Sequence, residues 1–117
     1  MPSLATPTIR VGRDGAETVI RYRDGDVDDA VRLPDTVWHA LAAAILVGEF
    51  DYLTTEWSRI GQAYGRVRLV GEAGDTVEIA YGYLHLHTAV LPRTVWTLLV
   101  TAVRAGELDT LPVDAGP

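Results

Sequence analysis

The feature that most constrains this chain is self-similarity at one fixed separation. Leu33-Pro34-Asp35-Thr36-Val37-Trp38 returns 58 positions later (91 − 33) as Leu91-Pro92-Arg93-Thr94-Val95-Trp96. Leu41 then falls on Leu99, Ala44 on Ala102, and Gly48-Glu49-Phe50-Asp51 on Gly106-Glu107-Leu108-Asp109. The same separation carries Thr18-Val19 onto Thr76-Val77 and Ile9-Arg10-Val11 onto Val67-Arg68-Leu69, with no gap. Such self-similarity marks one supersecondary unit written twice. It predicts a single domain, 1–117, made of repeat one (8–53), a connector (54–65), repeat two (66–111) and a loose tail (112–117). The first six residues are expected to be loose as well.

Within each copy the hydrophobic period changes once. Residues 8–11 and 17–23 alternate apolar and polar, as strands with one buried face do. Gly12-Arg13-Asp14-Gly15 and Gly71-Glu72-Ala73-Gly74 carry the turn chemistry that joins two such strands. A third strand is expected before each Leu-Pro, at 27–33 and 83–91. Pro34 and Pro92 suit a first helical turn, where the missing N–H is no loss. Val37, Trp38, Leu41 and Ile45 then share one helical face, as do Val95, Trp96, Leu99 and Val103. Gly48 and Gly106 are placed to close the helices, with Phe50 and Leu108 folding back onto the last turn. The expected fold class is α+β: a strand-strand-(strand)-helix unit duplicated with pseudo-twofold symmetry, giving an antiparallel sheet with two helices. Trp38 and Trp96 are core residues or, if one edge is exposed, interface anchors. Trp57 and Tyr64 argue that the connector is packed rather than free.

Composition narrows the function. With no cysteine among 117 residues, disulfides, thiolate nucleophiles and sulfur-ligated zinc are excluded. No stretch reaches the length a membrane helix needs, and the N-terminus lacks a basic-then-apolar signal, so a cytoplasmic protein is expected. The formal net charge of −6 disfavours non-specific binding to phosphate backbones unless positive charge is segregated. Every basic residue is Arg, which makes forked, stackable contacts.

Candidate chemistry is sparse. His85 and His87, two apart on a strand, would point to one face at a spacing two ligands of one metal can use, with Glu78 or His39 as a third. The other copy has Val27 and Asp29 there, so the pair is not part of the repeated design, and exposed polar strand residues is the simpler reading. Arg10, Arg21, Tyr22, Arg23, Arg66 and Arg68 would form an Arg-and-aromatic sheet face suited to single-stranded nucleic acid. Asp24, Asp26, Asp28 and Asp29 stand beside it and would neutralise it. That Asp-rich segment departs from the EF-hand order and lacks its terminal Glu, so a solvated turn is expected. With Ser3 and Ser58 the only serines and no glycine cradle bearing Lys, neither a Ser-His-Asp nucleophile nor a phosphate loop is present. A non-enzymatic chain without a cofactor is expected.

Copy two also carries Trp57-Ser58, Thr76-Val77-Glu78-Ile79-Ala80, Val90-Leu91, Trp96 and Val103-Arg104-Ala105-Gly106-Glu107-Leu108-Asp109. In these it resembles a family of small acidic actinobacterial proteins of unknown biochemical function, the BldB-associated circle, whose members are encoded beside helix-turn-helix regulators. The family has Cys where Thr76 stands and Arg-Asp-Ser where 84–87 stand, and Pro92 is displaced by one position. The resemblance implies a protein partner, a DNA-binding regulator; from the chain's own negative charge, the acidic set Asp26, Asp28, Asp29, Glu49, Asp51, Glu107 and Asp109 is expected to meet it. A homodimer is the other association considered.

Overall fold

The computed structural model describes residues 6–61 and 65–116. Three strands, β1 (Thr8–Asp14), β2 (Glu17–Asp24) and β3 (Val27–Pro34), lead into helix α1 (Asp35–Leu46). A two-residue strand β4 (Ser58–Arg59) precedes β5 (Gly65–Val70), β6 (Thr76–Tyr81), β7 (His87–Pro92) and helix α2 (Arg93–Arg104). The fold is α+β. Instead of one shared sheet there are two antiparallel sheets, ordered β1-β2-β3 and β4-β5-β6-β7.

Local chemistry explains the helices. Pro34 (φ −55°, ψ 143°) and Pro92 (φ −57°, ψ 144°) stand at the N-caps with nearly identical extended geometry. The ring fixes φ, and the chain turns helical at the next residue. Each helix ends in a Schellman motif. Gly48 N–H donates to the Ile45 carbonyl and Glu49 N–H to Ala44; Gly106 donates to Val103 and Glu107 to Ala102. The two glycines sit at φ 79° and 77°, a conformation that disfavours any residue with a Cβ. Phe50 beyond the first cap is buried and Leu108 beyond the second is half-buried, as expected.

The inward faces match: Val37, Trp38, Leu41, Ala44 and Ile45 in α1; Val95, Trp96, Leu99, Ala102 and Val103 in α2. Trp38 and Trp96 are core residues at 2% and 5% exposure. Both inward faces join one continuous cluster with Val11, Ile20 and Leu33 of the first sheet and Val67, Ile79 and Leu91 of the second. Helix α2 packs on β1 and β2 as well as on β6 and β7 of its own half. The ring of Phe50 meets that of Trp96 edge-on at 6.2 Å. Neither half encloses a core alone.

The strands correct the gapless alignment. Leu33 and Leu91 hold the ends of β3 and β7, yet Leu33 pairs with Thr18 whereas Leu91 pairs with Val77. Ile20 faces Val11, and its counterpart Ile79 faces Val67. The separation is therefore 59 on β2/β6 and 56 on β1/β5. The hairpins differ in length: β1 and β2 turn on Gly15-Ala16, whereas 71–75 join β5 to β6. Gly12 thus lies inside β1 rather than in the turn.

The connector is packed, as expected, whereas the tail is not loose. The connector is part of the second sheet: β4 pairs with β5, Ile60 is fully buried, and Leu69 N–H donates to the Thr54 carbonyl. Tyr64 lies outside the described residues. The tail is docked, because the β1 edge offers unpaired backbone groups and Arg21 offers a charge. Arg13 N–H donates to the Pro112 carbonyl, Asp114 N–H to that of Arg13, and Arg21 grips the Asp114 carboxylate in a fork at 2.9 and 2.8 Å. A Cβ on Gly12 would stand 3.1 Å from the Asp114 Cα, so this crossing uses the absence of a side chain.

Candidate functional site

The two helices form an internal control, since the same positions of each face outward. In α2 and its cap these are Thr94, Thr97, Thr101, Arg104 and Ala105; in α1 they are Thr36, His39, Ala43, Leu46 and Val47. One helix is dressed for water. The other ends in two apolar side chains that are 56% and 73% exposed.

The segments after the helices cross over. Phe50, Asp51 and Leu53 line a groove with Trp96, Val100, Thr101 and Arg104 of α2. Leu108, Asp109 and Leu111 line a groove with Trp38, Ala42, Ala43 and Leu46 of α1. In the first groove Arg104 donates to the Asp51 carboxylate. In the second, Leu46 stands at the position of Arg104, and the equivalent carboxylate, Asp109, makes no ion pair with Arg13, the arginine that lines this groove. At the other end of α1, Asp35 accepts 2.9 Å from the Thr18 hydroxyl and favours the positive helix terminus.

The predicted acidic set occupies three places. Asp26, Asp28 and Asp29 belong to the β2–β3 hairpin, Glu49 and Asp51 follow α1, and Glu107 and Asp109 follow α2. Asp28 pairs with Arg23 at 2.9 Å and Asp51 with Arg104, while Asp29 accepts from the Ala30 N–H. Among the described residues Asp26, Glu49, Glu107 and Asp109 are exposed with no basic partner within ion-pair distance. The Asp-rich segment is a tight hairpin on Gly25-Asp26, and Asp24 accepts from the Thr94 hydroxyl of α2 at 2.7 Å.

The Arg-and-Tyr face does not assemble. Neighbouring strand residues point to opposite sides. Tyr22 is on the core face, 7% exposed, and burial pushes its phenol pKa up. Arg10, Arg21 and Arg23 lie on the outer face: Arg21 is held by Asp114, Arg23 by Asp28, and Arg10 donates to the Gly116 carbonyl. Arg66 and Arg68 are on the other sheet. There they meet Trp57 and Arg59, which sequence reasoning did not select. Arg59 is directly opposite Arg66, and the guanidinium carbons of Arg68 and Arg66 lie 4.2 and 5.8 Å from the Trp57 ring centre. The period-2 spacing of Trp57 with Arg59 and of Arg66 with Arg68 was the available signal; the β4–β5 pairing was not.

The histidine pair is also separated. His87 opens β7 and stacks on Tyr81 at 5.4 Å, but His85 is in the loop 82–86, so strand alternation does not align them. Glu78 lies on the opposite face from Tyr81 and pairs with Arg68 at 2.8 Å. His39 is exposed on α1. Among the described residues no three His, Asp or Glu are grouped to hold a metal, and no helix is long and apolar enough to cross a membrane. No protein-family model, curated protein or solved structure matches the chain.

Proposed function

We propose that this chain is a non-enzymatic interaction module, a cytoplasmic acidic partner of a helix-turn-helix DNA-binding regulator, and that α1 carries its docking surface. The observation that supports this most is the contrast between matched helix positions. Large apolar side chains grouped on the outward side of a helix mark an interaction surface. Leu46 and Val47 stand uncovered where Arg104 and Ala105 stand on α2. Asp35 and Asp109 line the groove beside α1 with Arg13 as its one arginine, and Glu49 follows the helix cap, so carboxylates outnumber the positive charge around the surface. That combination fits a basic amphipathic segment of the kind that DNA-binding proteins present. The net charge of −6 would speed the encounter and make binding salt-sensitive. The duplication supplies the context: one copy of the unit keeps a soluble helix, and the other is free to specialise.

The test grafts α2's own residues onto α1. Leu46→Arg with Val47→Ala reproduces a surface the fold already tolerates, and gives Asp109 the partner that Asp51 has. Tagged wild type, incubated with nuclease-treated actinobacterial lysate, is expected to retain a basic helix-turn-helix protein at one-to-one stoichiometry, weakened by salt and lost in the double variant. Equal retention by the variant overturns the surface. Wild-type self-association that the variant abolishes would replace the regulator by a second copy of this chain.

A further inference from the structure

We propose that the outer face of the second sheet is a separate binding surface for single-stranded nucleic acid, centred on Trp57, Arg59 and Arg66. The inference is independent of the α1 reading, since it rests on a different sheet and on charge of the opposite sign.

The strongest observation is a like-charge pair left standing. Arg59 and Arg66 are directly opposed across β4 and β5, both exposed, and like charges in that position destabilise a sheet. The chain holds 16 acidic residues, yet neither arginine has a carboxylate within ion-pair distance among the described residues. The first sheet treats the same problem differently. Arg10 and Arg21 are also directly opposed, but the tail brings Asp114 to Arg21 and the Gly116 carbonyl to Arg10. One opposed pair is neutralised from within; the other is left for an anion from outside.

The aromatic neighbour selects the anion. Trp57 immediately precedes β4, two residues from Arg59, and is half-buried, with Arg68 4.2 Å and Arg66 5.8 Å from its ring centre. Arg68 is itself braced by Glu78 at 2.8 Å, which holds the stack in place. An indole braced by Arg68, beside Arg59 and Arg66 with no carboxylate partner of their own, offers stacking for a base and paired donors for the phosphate next to it. A duplex hides its base faces and needs a groove reader, so an open sheet face of this kind favours a single strand. The net charge of −6 opposes approach at long range, so binding rests on the local charge of Arg59 and Arg66, the arginines of this face without a carboxylate partner among the described residues.

Intrinsic fluorescence tests the proposal on the intact chain. Of the three tryptophans, Trp38 and Trp96 are buried, so a change on titration with (dT)12 or (U)12 reports Trp57. Saturable quenching is expected, with log K falling against log[salt] at a slope of about −1.4 to −2.1 for two or three phosphates. With a labelled oligonucleotide and anisotropy, Arg59→Ala/Arg66→Ala should remove about 1.4 of that slope. Trp57→Ala should weaken binding by about 5- to 150-fold, and Trp57→Phe by less. Relief of the like-charge pair predicts that the double Arg variant melts no lower than wild type. Absence of quenching, undiminished affinity in Trp57→Ala, or polyphosphate binding as tightly as the oligonucleotides would each overturn the proposal. Unequal binding of (dT)12 and (U)12 would identify which nucleic acid the surface prefers.

Discussion

Leu41→Ala and Leu99→Ala form a matched pair that tests whether the two halves share one core. Both leucines are fully buried, at the same position of their helices, in one continuous cluster. Truncating a leucine so enclosed removes its transfer free energy and leaves a cavity, together about 2.7–5 kcal/mol. For 117 residues the unfolding entropy is about 0.25 kcal/mol per kelvin, so each variant should melt about 11–20 °C lower. The assay is thermal and urea unfolding followed by far-UV circular dichroism and by tryptophan emission together. Trp38 reports on α1 and Trp96 on α2, so coincident transitions by both probes mean that the halves unfold as one. Because Phe50 packs on Trp96 and α2 packs on the first sheet, each lesion should lower the single transition of the whole molecule. A Leu99→Ala protein that loses half its ellipticity in an early step and keeps the rest to the wild-type temperature would refute the shared core. A fall of less than about 4 °C in either variant would show that the leucine is not enclosed as described.

Other perturbations probe particular joints. Gly48→Ala and Gly106→Ala each force a Cβ into a left-handed residue, at about 1–2 kcal/mol, so both should lower the melting temperature by about 4–8 °C. A loss at one and none at the other would break the equivalence of the caps. Asp114 is held below the usual carboxylate range, first by its hydrogen bonds from Arg21 and then by that residue's charge. Its contribution to stability is therefore complete above the unfolded value near 4 and is lost as pH falls through the lower folded value. Asp114→Asn should be less stable than wild type at pH 7, and urea melts should bring the two together as pH falls below the usual carboxylate range; a gap that stays constant with pH would remove the ion pair as its cause. Leu46→Arg/Val47→Ala should leave the melting temperature within about 2 °C of wild type, since exposed substitutions rarely matter more.

The parts of this structure legible in the sequence are those fixed by neighbours along the chain. Leu-Pro before each helix, the apolar stripe and the closing glycine are all local; the stripe and the glycine landed where expected, and each Pro fell at the N-cap, just before the first turn expected for it. Strand register is not local. It depends on hairpin length, and three extra residues between β5 and β6 shifted alignments that Thr18-Val19 and Ile9-Arg10-Val11 had made plausible. Tyr22 shows a different failure: alternation already placed it opposite Arg21 and Arg23, so the proposed Arg-and-Tyr face combined residues from two sides of one sheet. The docked tail needed a contact between Arg21 and Asp114, 93 residues apart, which no local pattern announces. Trp57 and Arg59 became visible only once β4 was seen to pair with β5.

The docking claim is tested most directly by amide chemical-shift mapping of this chain titrated with the helix-turn-helix protein that the lysate capture is expected to retain. The twin helix serves as a reference within the same spectrum. The account predicts perturbations at Ala43, Leu46, Val47, Glu49 and Asp109, diminishing with added salt, and quiet signals at Thr101, Arg104 and Ala105. Perturbations centred on α2, or on the hairpin of Asp26 and Asp28, would contradict it.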